Sequence, residues 1–159
     1  MTGTDNGTAM SGRPANNSGF DIARAAPMML SSGHMGWLGI QYRDHGENWV
    51  ELQLPWREDL VGQPDSGILA SGPIVSLMDI STASAIWHRN RRFISMVTVD
   101  LRVDYMRPAR KGATVVGHGE CYTQTKSIAF VRGFAHDGDP DDPVAHVAGE
   151  FMFVDKPGS

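Results

Sequence analysis

The stretch that decides the fold is Gly67-Ile68-Leu69-Ala70-Ser71-Gly72-Pro73-Ile74-Val75-Ser76-Leu77-Met78-Asp79-Ile80-Ser81-Thr82-Ala83-Ser84-Ala85-Ile86-Trp87-His88. Gly72-Pro73 is a good helix start, because a proline in the first turn lacks an amide that would go unpaired there anyway. Apolar residues then fall on almost every face, and the polar ones are nearly all small. A helix that is apolar all round is buried in protein. Asn90-Arg91-Arg92 ends it. One residue breaks the pattern. Asp79 lies mid-helix between Leu77-Met78 and Ile80. Aspartate is a poor helix-interior residue, and a carboxylate is rarely taken from water without a partner. It is either a structural carboxylate that caps a loop or pairs with an arginine, or a catalytic one. Free amides at the helix N-terminus lie at the positive end of the macrodipole and suit a developing oxyanion. Asp79 is about two turns, roughly 10 Å, further along.

Outward from this helix the chain reads as strands. Before it, Trp37 to Arg43 alternates, with Leu38, Ile40 and Tyr42 on one side, after a break at Gly33 and Gly36. Trp49 to Leu54 alternates with Val50, Leu52 and Leu54 inward, and Asp44-His45-Gly46-Glu47 forms the turn between the two runs. This is a hairpin pattern. A short helix interrupted by Pro27 is expected over Phe20–Leu30, and Glu58–Ser71 is a loop. After the helix, Phe93–Arg107 is a long strand. Val97, Val99, Leu101, Val103 and Tyr105 are expected on one face, and Thr98, Asp100, Arg102 and Asp104 on the other. Ala113–Tyr122, Ser127–His136 and Val144–Val154 follow as further strands. The class is therefore α+β, an antiparallel sheet packed on one helix. Residues 1–19, rich in Gly, Asn, Ser and Thr, are expected to be a flexible tail, and Lys156–Ser159 a frayed end. Residues 20–155 form one domain.

Composition narrows the function. The 159 residues are 41 % hydrophobic and 20 % charged, with a formal net charge of −4. That is ordinary globular usage, and the acidic balance argues against a nucleic-acid partner. Mean hydropathy is −0.26, and no apolar run approaches the roughly 20 residues that span a bilayer. Cys121 is the lone cysteine, so a reduced, cytoplasmic setting is expected, with packing rather than reaction as the role of its thiol. The six histidines, His34, His45, His88, His118, His136 and His146, show no metal-ligand spacing. No metal is expected. Gly-x-Ser-x-Gly, P-loop and dinucleotide motifs are missing from the sequence.

On these residues the sequence resembles the hotdog-fold acyl-CoA thioesterases of the PaaI-like group. The resemblance is carried by Gly67–Gly72, Asp79, Ser81-Thr82-Ala83-Ser84-Ala85, Val97–Tyr105, Met106–Gly112 and His146–Phe151, within a span from about Gly36 to Val154. It implies an antiparallel five-stranded sheet wrapped around a central helix, in a homodimer with sites at the subunit interface, or a tetramer of such dimers. It implies acyl-CoA hydrolysis with Asp79 as general base or nucleophile, and an oxyanion contact from the amide of Ser71 or Gly72. Thr98 is then expected to reach over from the partner subunit to position water. Coenzyme A enters as part of the substrate, with no separate cofactor. Arg107, Arg110 and Lys111 are the candidate rim for its phosphates, unless they simply form a solvated turn. Two features depart from the family pattern. Ala70 stands where a histidine is usual, and Gln63-Pro64-Asp65 occupies the neighbourhood of a usual asparagine. These departures motivate a second reading, a non-catalytic acyl-CoA-binding protein. A third reading is an acyl-thioester hydratase or dehydratase, although such enzymes generally use a histidine where Ala70 stands.

Overall fold

The computed structural model describes residues 19–154; the tail expected over residues 1–19 and the end at 156–159 lie outside the described residues apart from Gly19. Two short helices, α1 (Ile22–Met29) and α2 (Gly33–Leu38), precede a hairpin of β1 (Gln41–His45) and β2 (Trp49–Leu54). A 3-10 turn (Glu58–Leu60) leads to the long helix α3 (Ser71–Asn90). Then come β3 (Met96–Tyr105), β4 (Val115–Gln124), β5 (Ile128–His136) and β6 (Ala145–Phe153). One antiparallel sheet of six strands, in the order β1-β2-β4-β5-β6-β3, wraps α3 in the hotdog arrangement. The six strands are those the residue pattern marks; the five implied by family resemblance are exceeded by one.

Helix α3 fits against the sheet because β4 has no side chain in the way. A Cβ on Gly119 would lie 2.5 Å from the backbone of Ser81, and one on Gly117 would lie 2.8 Å from the Ser81 hydroxyl. Small residues on the helix meet glycines on the strand, so the two backbones approach closely. Leu77, Met78, Ala85 and Ile86 of α3 are fully buried, as are Val50, Leu52 and Leu54 of β2. Ser81 and Thr82 hydroxyls return to the helix carbonyls of Leu77 and Met78 at 2.7 and 2.9 Å. These two buried hydroxyls are thereby satisfied without a partner across the interface. Arg91, in the left-handed region at φ 54°, closes the helix.

Two expectations are corrected. Gly33 to Leu38 is helical, not a break followed by a strand. Gly39, at φ 73°, supplies the left-handed turn that ends α2, its amide donating to the Gly36 and Met35 carbonyls. Leu38 and Ile40 are buried as the alternation implies, but the strand begins only at Gln41.

The second correction concerns β3. Its ladder with β6 shifts register between Thr98 and Asp100, leaving Val99 as an extra residue. Thr98 pairs with the buried Phe151, Leu101 with Gly149 and Val103 with the buried Val147. Cross-strand partners share a face, so the bulge puts Thr98 on the helix side together with Leu101 and Val103. Val97 and Val99 remain 45 % and 57 % exposed. Strict alternation had placed Thr98 on the opposite face. Among the described residues no helix is long and apolar enough to cross a membrane.

Candidate active site

The first turn of α3 is uncapped. Ala70 offers no side-chain acceptor. Among the described residues the Ser71 and Gly72 amides make no hydrogen bond, and both residues are exposed. A Cβ on Gly72 would meet nothing within 4 Å, so this amide faces open space. At 100° per residue, Gly72, Ser76 and Asp79 fall within about 60° of each other around the helix. One strip of α3 therefore carries a free amide, a hydroxyl and a carboxylate in sequence.

Asp79 is half-buried. Thr98 Oγ1 donates a hydrogen bond of 2.9 Å to its Oδ1. The bond forms within one chain, made possible by the Val99 bulge. Thr98 was expected to position water in the partner's site; within one chain its hydroxyl is on Asp79. On one flank of the helix tip, Tyr105 Oη donates to the Ser71 carbonyl at 2.9 Å. Burial raises the Tyr105 pKa above its ordinary value, so the phenol stays a donor. This flank opens into a cavity of about 330 Å³ lined by Ile68, Ile74, Tyr105, Met106 and Arg107 among others. On the other flank a cavity of about 300 Å³ is lined by His34, Trp37, Leu60, Gly72, Pro73 and Ser76 among others. His34 Nε2 lies 3.0 Å from Ser76 Oγ.

The expected basic rim divides. Arg107 is held inside the fold, with its guanidinium donating to Asp137 Oδ1 and Oδ2 at 2.6 and 3.0 Å and to the Asp142 carbonyl at 2.6 Å. The Asp137 side chain has no exposure, and it also accepts from the Arg110 amide at 2.6 Å. Arg107 is therefore a structural anchor beside the first cavity rather than a free phosphate ligand. The Arg110 side chain is 57 % exposed and sits 3.6 Å from Asp142. Lys111 is exposed, and its stem lies over Gly67. These two cations remain at the rim. Burial pushes the Cys121 thiol up to about 11, far from a reactive thiolate.

Sequence reasoning did not single out Ser76, His34 and Tyr105 for this site. His34 and Ser76 are 42 residues apart and Tyr105 and Ser71 are 34 apart. No local spacing links them.

Residues 66–144 match the family model described as the thioesterase superfamily. Among solved structures, a protein from Pseudomonas aeruginosa is 37 % identical, covering 83 % of this chain and 98 % of its own, with a TM-score of 0.75. The E. coli PaaI protein from the phenylacetic acid degradation operon is 17 % identical over 86 % of this chain and 98 % of its own, with a TM-score of 0.70. At that identity the likeness is one of fold. A curated relative from Halobacterium salinarum, named as an esterase, is 29 % identical over 100 residues, which is 58 % of this chain and 66 % of the relative. The match spans just under two thirds of that relative's length.

Proposed function

This chain belongs to the thioesterase superfamily, and from that premise we propose that it hydrolyses an acyl-CoA thioester to the free acid and coenzyme A in the cytoplasm. The observation that carries the reading is the Thr98–Asp79 hydrogen bond of 2.9 Å on the same helix strip as the unbonded Gly72 amide. The thioester carbonyl lies over the helix tip, its oxygen toward the amides of Ser71 and Gly72. Asp79, its Oδ1 restrained by Thr98, takes a proton from water as the water oxygen bonds to the carbonyl carbon. The carbonyl pair moves onto oxygen and is stabilised by the helix-tip amides. Collapse of this intermediate breaks the carbon–sulfur bond, the sulfur leaves with the electron pair, and the proton held by Asp79 returns to it. The roughly 10 Å between helix tip and carboxylate accommodates a carbonyl and one water in line. The two cavities flanking the tip give the acyl group and the pantetheine arm separate directions, with Arg110 and Lys111 following the Arg107-Pro108-Ala109 wall of the first. The edge position of β3 favours pairing with a second copy, and so a homodimer.

The test is thiol release across a panel of acyl-CoAs, with Asp79→Asn beside the parent. We expect turnover by the parent and a loss of about 10²–10⁴-fold in the variant, with its melting temperature retained. A variant as active as the parent would sink the role of Asp79. Ala70, standing where a histidine is usual, favours a second reading as a non-catalytic acyl-CoA binder. That reading predicts thermal stabilisation by acyl-CoA with no thiol released.

A further inference from the structure

We propose that His34 and Ser76 form a positioning pair for the attacking water, an inference that rests on the hydrolase reading above. Ser76 lies on the α3 strip between the two groups already assigned, about 6 Å of rise beyond Gly72 and about 4.5 Å before Asp79. His34 Nε2 is 3.0 Å from its hydroxyl. Both side chains line the cavity of about 300 Å³ that Gly72 also lines. The pair therefore opens onto the space beside the oxyanion amides.

The imidazole is held from a second direction. Its ring stacks on Trp37, with centroids 6.2 Å apart and planes 20° apart. Trp37 in turn lies under the Arg57 guanidinium, 5.8 Å from the ring centroid, and its carbonyl accepts from Arg57 Nη1 at 2.7 Å. Asp59 fixes Arg57 with two hydrogen bonds of 2.9 and 2.7 Å. A ring merely resting on the surface would need no such support. No imidazole precedes the helix, where Ala70 stands; α2 brings one to the strip from elsewhere in the chain.

With the Ser76 hydroxyl donating to Nε2, the Ser76 oxygen offers its lone pairs outward. A water between Ser76 and Asp79 donates one O–H to each, leaving an oxygen lone pair for the carbonyl carbon. The proton moves to Asp79, and neither His34 nor Ser76 changes protonation. Both are positioning residues.

The experiment compares His34→Leu, His34→Gln, Ser76→Ala and the His34→Leu/Ser76→Ala double variant on whichever acyl-CoA the parent hydrolyses. For His34→Leu and Ser76→Ala we expect kcat to fall about 10- to 100-fold with KM changed less than about 2-fold. The double variant should be no slower than the worse single, because the two act as one unit. His34→Gln, which restores an acceptor for the Ser76 hydroxyl, should recover most of the loss. Melting temperatures should match the parent. An active parent whose variants keep its kcat overturns the pair and leaves the hydrolase reading intact. Additive losses that track melting temperature, or an acyl group found on Ser76 by mass spectrometry, also overturn it. A parent inactive on the whole panel overturns the hydrolase reading itself, and the pair with it.

Discussion

Two aspartates in this chain show how differently one side chain is used. Asp137 is closed inside the fold against Arg107 and the Arg110 amide, which lower its pKa from 3.8 to about 2. The Arg107 hydrogen bond is the largest cause. A carboxylate whose folded value is depressed stabilises the protein above its unfolded value and loses that contribution as pH falls toward the folded one. Stability should therefore drop as pH is taken from about 4 toward 2. Asp137→Asn should remove that part of the pH dependence and cost about 2 kcal/mol at neutral pH, since it leaves the partly buried Arg107 with Asp142, 3.0 Å from its Nε, as the remaining counter-ion. Melting temperature against pH for parent and variant checks both. Equal acid sensitivity of the two proteins would refute the assignment. Asp79, by contrast, is half-buried with one hydroxyl on it. It was legible in the sequence because a carboxylate inside an apolar helix has no local explanation. Arg107 was misread as a rim residue because its partner Asp137 is 30 residues away in the chain.

At the scale of elements, the contact between α3 and β4 sets where Asp79 sits. Gly119 cannot accept a methyl group without moving the helix backbone, which approaches to 2.5 Å of the added carbon. Gly119→Ala should destabilise the domain by about 1–3 kcal/mol, a few degrees in melting temperature, and disturb turnover in the fraction still folded. Calorimetry and thiol release on the same sample check this, and an unchanged melting temperature would contradict it. The helix itself could be read from its composition, and its end from Asn90-Arg91-Arg92. The bulge in β3 could not. Val97 to Tyr105 alternates without interruption in sequence, so an inserted residue leaves no mark in the periodicity. Only pairing with β6 reveals it. The helical turn at Gly33–Leu38 was hidden in the same way, because Leu38 and Ile40 are buried in either conformation.

At the scale of the whole molecule, β3 is an edge strand of ten residues with β6 as its one neighbour in the sheet. Open edges invite another strand, which suits the proposed homodimer. The geometry within one chain makes a sharper statement. The 2.9 Å hydrogen bond joins Thr98 and Asp79 of one subunit, and in the proposed mechanism they act in the same site. Mixed dimers of Asp79→Asn and Thr98→Val should therefore regain no activity after unfolding and refolding together. Were Thr98 supplied by the partner, symmetry would restore roughly a quarter of the parent's sites in a statistical mixture. Thiol release by the refolded mixture, with each variant refolded alone as reference, separates the two arrangements.

The sequence by itself determined the buried helix, the strands around it, the exceptional carboxylate at Asp79 and the free amides two turns before it. Each of these is written in a local pattern: periodicity, a proline in the first turn, a charge among apolar neighbours. The tertiary structure decided which face of β3 carries Thr98, that His34 meets Ser76, and that Arg107 closes on Asp137. Those outcomes depend on an unpaired residue in a ladder and on contacts between residues 30 or more apart. Packing chooses among such contacts, and local composition is silent about them.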